Sequence, residues 1–210
     1  MINKYKHIIW DWNGTLLDDV ELCLEIINGI LARRNIKTLS LEDYREIFTF
    51  PVKDYYAKAG LDFNIYPFEE LGAEWIEEYE RRKAECRLFN GAEDVLKLLS
   101  RNGSDQSLLS AYSHDTLVEI VGGFNLDSYF KHLSGLDHIY ATSKVELGKE
   151  LIKKINPHNG EILLIGDTIH DFEVSKEIGA DCVLIAAGHQ NKKRLRTCGV
   201  PVVENILDIF

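Results

Sequence analysis

The sequence holds no apolar run near the ~18 residues that span a bilayer, and Met1 to Lys6 lack the apolar stretch of a secretion signal. A soluble, cytoplasmic protein without a membrane partner is the expectation. Cysteine is sparse: Cys23, Cys86, Cys182 and Cys198 are far apart and form no Cys-x-x-Cys pair, which argues against a zinc site or a disulfide framework. Cations are outnumbered, with 24 Lys and Arg against 34 Asp and Glu and a formal net charge of −10. Nucleic acid is therefore not an expected partner, because affinity for its backbone comes from clustered Lys and Arg. Only four prolines occur, and no repeat or low-complexity stretch suggests disorder.

What is present is ordinary globular material: 210 residues, 45% hydrophobic, enough for one well-buried core and a small second unit. One stretch organises it. His7-Ile-Ile-Trp-Asp11 is a short apolar run ending in a carboxylate, followed by Asn13, Gly14 and Thr15. Such a run reads as a buried strand of a parallel sheet, and ligands sit beyond the carboxyl ends of such strands. Asp11 is thus placed as a nucleophile or metal ligand. Gly14 permits a tight turn close to an anion, and Thr15 offers it a hydroxyl and an amide.

From Val20 the apolar period becomes helical and stays so to about Arg87. Ser40 with Asp43 predicts a capping box, Phe50-Pro51 a break, and Gly60 a stop. Pro67 to Arg87 predicts one long helix with Leu71, Trp75 and Tyr79 on a single face, and with Glu77/Arg81 and Glu78/Arg82 as ion pairs. No strand is expected between Asp18 and Arg87. Residues 17–87 are read as an inserted all-helical unit, with 1–16 and 88–210 forming an α/β core. In that core strands at Ser107–Ser110, His132–Leu136, Ile162–Ile165, Asp181–Ala186 and Pro201–Glu204 alternate with helices. The alternation predicts a Rossmann-like parallel sheet covered on both faces.

Several strand ends carry chemistry: Asp11, then Ser110 with Ala111, then Gly166-Asp167-Thr-Ile-His170-Asp171, with Lys144 before a helix. If these ends share one edge, three carboxylates crowd together and their ionisation conflicts. A hard divalent cation such as Mg²⁺ removes the conflict.

The chain resembles the haloacid dehalogenase-like hydrolases, specifically the phosphoglycolate phosphatase-like group. Asp11-Trp-Asn13-Gly14-Thr15 is similar to that family's Asp-x-Asp-Gly-Thr, Ser110 to its Ser/Thr motif, Lys144 to its lysine, and Gly166 to Asp171 to its Gly-Asp-x-x-x-Asp. The resemblance implies a Mg²⁺-dependent phosphatase with a helical cap over residues 17–87, acting on a small phosphorylated metabolite such as phosphoglycolate, as monomer or homodimer. It implies Asp11 as nucleophile; Asp11, the Asn13 backbone carbonyl, Asp167 and Asp171 about the metal; and Ser110, Ala111, Lys144, Gly14 and Thr15 about the phosphoryl group. Lys149 is the alternative to Lys144.

Asn13 departs from the motif, since it stands where the family has a second aspartate that donates and accepts the proton. An amide does neither. His114 or Asp19 could replace it, the leaving group could need no proton, or the protein could be a slow or non-catalytic phospho-ligand binder. His114, His170 and His189 form no metal-ligand spacing and read as loop residues or neighbours of the site. Lys192, Lys193, Arg194 and Arg196 read as a solvated helix face. Phe48 to Lys53 is the inserted stretch expected to face the site.

Overall fold

A computed structural model describes residues 2–136, 144–156 and 161–210. Ile8, Ile9 and Trp10 form the body of strand β1 (His7–Trp10), and all three are fully buried. Successive strand side chains point to opposite faces. Ile8 and Trp10 accordingly join Leu108, Leu163 and Ile165 in one apolar cluster, while Ile9 joins Leu109, Leu164 and Val174 in another. A strand that is apolar on both faces belongs in the middle of a doubly covered sheet.

After β1 come β2 (Leu17–Asp18), α1 (Val20–Arg33), α2 (Leu41–Ile47), α3 (Val52–Lys58), α4 (Phe68–Arg82) and β3 (Arg87–Leu88). The chain continues through α5 (Ala92–Arg101), β4 (Asp105–Ser113), α6 (His114–Gly123), β5 (His132–Leu136), α7 (Lys144–Ile155) and β6 (Ile162–Gly166). It closes with α8 (Ile169–Ile178), β7 (Asp181–Ile185), α9 (Lys192–Leu195) and β8 (Val202–Val203). The main sheet has six parallel strands in the order β5-β4-β1-β6-β7-β8, so β1 is central and the short β8, preceded by Pro201, lies at an edge. The alternation read from the sequence is thus a Rossmann-like α/β core.

Register then positions the chemistry. Trp10 is level with Leu108 on one side and Ile165 on the other, so Asp11, Ser110 and Asp167 emerge at the same edge of the sheet.

Four expectations need correction. Leu17–Asp18 pairs antiparallel with Leu88–Arg87, two-residue strands too short to leave a periodic signal. Strand β4 runs past Ser110 to Ser113, with its pairing to β5 irregular between Leu109 and Ser113. Helix α4 stops at Arg82, and a 3₁₀ turn at Lys83–Glu85 leads into β3. Its ion pairs differ as well: Arg81 meets Glu78, three residues back, at 2.5 Å, and Arg82 meets Glu85 and Glu25 at 2.7 Å. The end of the helix brings Glu85 and the neighbouring α1 closer to Arg82 than its own preceding turn. The capping box at Ser40 and Asp43 forms as expected.

Helices α1–α4 lie between β2 and β3, and Arg33 and Arg34 of α1 both reach Glu74 of α4 at 2.6 Å. A second set of bonds fastens this helical group to the sheet. Arg45 Nε donates to the Gly188 carbonyl at 2.9 Å, and Arg194 Nη1 and Gln190 Nε2 donate to the Phe48 carbonyl at 2.7 and 3.0 Å. Arg194 is therefore a tether of the loop after α2 rather than part of a solvated face.

Candidate active site

The carboxyl edge of the sheet and the helices α1–α4 border a cavity of about 850 Å³. On the sheet side it is lined by Asp11, Asn13, Ser110, Ala111, Lys144, Asp167 and Asp171. Asp11, Asp167 and Asp171 are all buried, and each turns one oxygen to within 4.8 Å of the others. Lys144, at the first turn of α7, donates to Asp11 Oδ1 at 2.5 Å and to Asp171 Oδ1 at 2.6 Å. The other Asp171 oxygen accepts from the amide and hydroxyl of Thr168 and so caps α8. Asp171 is therefore both a helix-capping residue and part of the cluster.

Burial, first of all, and the charges of Asp171 and Asp167 push the Asp11 carboxyl well above the usual range, against the pull of Lys144. Asp167 is raised by burial and by Asp171. Burial works to lower Lys144, and Asp11 and Asp171 more than offset it, keeping the ammonium charged. Among the described residues one side-chain cation, Lys144, is bonded within this group of three carboxylates, which leaves the cluster short of positive charge. All-oxygen donors of this kind suit a hard divalent ion better than a thiophilic one, so the residues present fit Mg²⁺.

Tight backbone approach keeps the cluster in place. Gly14 has φ +72°, and a Cβ there would meet Asp167 Oδ2 at 2.4 Å; one on Gly188 would meet the same oxygen at 2.2 Å. The amides of Gly14 and Thr15, expected to face an anion, turn inward. Gly14 donates to Leu17 O at 2.9 Å and Asp19 Oδ1 at 3.0 Å, and Thr15 donates to Trp12 O at 3.3 Å. Thr15 Oγ1 reaches Asp167 Oδ1 at 3.3 Å, and neither residue is among those lining the cavity. Ser110 is buried, its Oγ accepting from the Tyr112 amide at 3.1 Å. Lys149 is away from the cluster, paired with Glu146 at 3.1 Å on the surface.

A second network surrounds Asn13. Its amide donates to Asp19 Oδ2 and to Tyr79 Oη, each at 2.8 Å, and Tyr79 Oη donates to Asp19 at 2.9 Å. An aspartate at position 13 would face Asp19 carboxylate to carboxylate. His189 Nε2 pairs with Asp19 Oδ1 at 3.2 Å and Nδ1 with Tyr44 Oη at 2.8 Å. Burial works against a charged imidazole there, but Asp19 outweighs it and lifts His189 to about 9. His189 also donates its backbone N–H to Asp167 Oδ2 at 2.6 Å. It is thus a member of the site that its spacing did not reveal. The available signal was Gly188-His189 just beyond β7, one more strand ending on the same edge.

The opposite wall is aromatic. Phe48 stacks on His189 with ring centres 4.9 Å apart, Phe50 lies 5.0 Å from His170, and Trp75 stacks on Tyr79 at 5.0 Å. All these residues line the cavity, as do Pro51, Val52 and Lys53; His114 is not among them.

A parallel sheet that delivers carboxylates, a lysine and a serine to one edge defines an α/β enzyme of the strand-end type. The chain belongs to the haloacid dehalogenase-like hydrolase family, whose model matches residues 8–185. It is 26% identical to a 5′-nucleotidase of Pseudomonas aeruginosa over 92% of this chain and 88% of that one. It is 22% identical to a phosphoglycolate phosphatase of Synechococcus elongatus, over 90% and 87%. A haloacid dehalogenase-like hydrolase from Streptococcus pneumoniae shares the fold with a TM-score of 0.84 at 17% identity, over 98% of this chain and 97% of that one. Among the described residues no helix is long and apolar enough to cross a membrane.

Proposed function

We propose that this protein is a phosphatase that hydrolyses a small phosphomonoester by way of a phosphoryl group carried on Asp11, with Mg²⁺ as its cofactor. The observation that carries the reading is the convergence of Asp11, Ser110, Lys144, Asp167 and Asp171 on the floor of one cavity. Relatives named for phosphoglycolate and for 5′-nucleotides support a phosphomonoester.

Asp11 would attack phosphorus as the carboxylate, dividing the hydrolysis into two easier displacements. Asp11, Asp167, Asp171 and the Asn13 backbone carbonyl would hold Mg²⁺, which supplies the positive charge that lets a phosphoryl dianion approach three carboxylates. Lys144 would hold Asp11 in line and meet a phosphoryl oxygen, and the Ser110 hydroxyl would meet another. Residues 17–87 would act as a cap, roofing the core formed by 1–16 and 88–210 and keeping water out.

Purified protein incubated with a panel of phosphomonoesters should release inorganic phosphate with Mg²⁺ and lose that release with a chelator. Absence of phosphate from every ester would instead favour the second reading that Asn13 raises, a phospho-ligand binder without turnover.

A further inference from the structure

Two features on opposite walls of the cavity concern the same property of the substrate, the group that leaves with the ester oxygen. On the floor, Asn13 has no proton to give, and both its amide hydrogens are engaged by Asp19 and Tyr79. Its neighbours are committed as well. Asp19 is 2% exposed and its two oxygens accept from Gly14, His189, Asn13 and Tyr79, while both ring nitrogens of His189 are engaged by Asp19 and Tyr44. An alkoxide leaving group, of basicity near that of hydroxide, needs a donor. A phenolate, near the tyrosine value of about 10, does not.

The roof makes the other half of the case. Phe48, Phe50, Trp75 and Tyr79, packed on one another and on His189, line a space of about 850 Å³, a volume suited to a ring-bearing ligand. Phosphoglycolate would bring a carboxylate to this wall. The cationic groups among the described lining residues are Lys144, already held by Asp11 and Asp171, His189, held by Asp19 and Tyr44, and Lys53, whose Nζ lies 5.4 and 5.6 Å from the rings of Phe63 and Phe68.

We propose that the substrate is an aryl phosphomonoester, a phosphorylated phenol whose ring packs on the aromatic roof while its phosphoryl group meets Asp11. The inference rests on the phosphatase reading above. In the first displacement Asp11 Oδ bonds to phosphorus and the P–O(aryl) bond breaks, its electron pair leaving with the phenolate, which takes a proton from solvent. In the second, water attacks phosphorus, the P–O(Asp11) bond breaks to regenerate the carboxylate, and the water proton passes to solvent. Asn13 gives this second step no general base. It is therefore the slower one, and phosphoryl-Asp11 accumulates.

The test crosses ring against leaving group, using phenyl phosphate (both), benzyl phosphate (ring only), acetyl phosphate (leaving group only) and phosphoglycolate (neither), with native protein and Asn13→Asp. Native protein should show a burst of about one phenol per site with phenyl phosphate and a kcat/KM at least about 10²-fold above benzyl phosphate and phosphoglycolate. Benzyl phosphate should still inhibit competitively, acetyl phosphate should turn over with a higher KM than phenyl phosphate, and Trp75→Ala should raise KM for phenyl but not acetyl phosphate. Asn13→Asp should remove the burst and raise the two alkyl esters about 10²-fold or more. Comparable native kcat/KM for phosphoglycolate and phenyl phosphate would overturn the aryl assignment and leave the phosphatase intact. No phosphate from any of the four, with either protein, would overturn the phosphatase reading itself.

Discussion

Asp11 and Asp171 share one ammonium, that of Lys144, with Asp167 crowded beside them, whereas Asp19, on the same side of the cavity, pairs directly with the His189 ring and accepts from Asn13, Gly14 and Tyr79 besides. Both groups are buried, and both bring together residues that could bind a metal. Their charge balance separates them. The first sets three carboxyl groups against one ammonium, and those of Asp11 and Asp167 are raised by burial and by the neighbouring carboxylates. The second is one against one, and Asp19 stays below its ordinary value because His189, Asn13 and Tyr79 outweigh the effect of burial. The repulsion left in the first cluster is what a divalent cation would relieve; the second, with its charges paired, holds the loop of Asn13 and Gly14 in shape.

The comparison breaks first at Asp11. Asp11→Asn removes the proposed nucleophile and one of three crowded carboxyls, so phosphate release should fall by more than about 10³-fold while the thermal midpoint holds or rises. Loss of fold alongside activity would mean that Asp11 belongs to the scaffold. Mg²⁺ draws the same line. Millimolar Mg²⁺ should raise the melting temperature of the native protein by mass action, a shift that Asp167→Asn abolishes and that Asp19→Asn retains.

Stability should respond in the opposite order. Asp19→Ala leaves a buried imidazolium without its counter-charge, and breaking such a pair costs about 3 to 5 kcal/mol. Removing both partners, as Asp19→Ala with His189→Ala, should cost less than the sum of the two single losses. Denaturant unfolding of the four proteins measures that coupling, and strict additivity would show that the two side chains do not act as a pair.

How far the sequence carried this picture follows from where each signal resides. β1, β6 and β7 were legible because buried parallel strands are short, continuous apolar runs, and Asp11, Asp167 and Asp171 because each follows such a run. Lys144 was legible through resemblance to a family motif, whereas its contact with both Asp11 and Asp171 depends on how α7 packs. The pair β2 and β3 left no trace, since two residues make no period and their partners lie seventy positions apart. His189 escaped for a related reason: its role comes from contacts with Asp19, Tyr44 and Asp167, which are remote in sequence. Asn13 was recognised as a departure from the motif, but only the placement of Asp19 and Tyr79 explains why an amide suits the position.

The amino end of β1 offers a control four residues from Asp11. His7 is 5% exposed and its Nε2 lies 2.8 Å from Ser107 Oγ. Burial lowers it to about 4, with Asp105 acting weakly the other way. A histidine whose folded value lies below its unfolded one, about 6.5, binds fewer protons in the native state through the interval between them. Its stabilising effect is therefore complete above about pH 6.5 and is lost as pH falls toward 4, an effect of about 2 kcal/mol once solvent screening is allowed for. His7→Gln keeps a hydrogen-bonding group beside Ser107 but cannot titrate. The difference in unfolding free energy between native protein and His7→Gln should accordingly slope between pH 6.5 and 4 and lie flat above pH 7. A flat difference throughout would mean that His7 takes up its proton without leaving the sheet, so that burial at this end of β1 is less complete than at the end that carries Asp11.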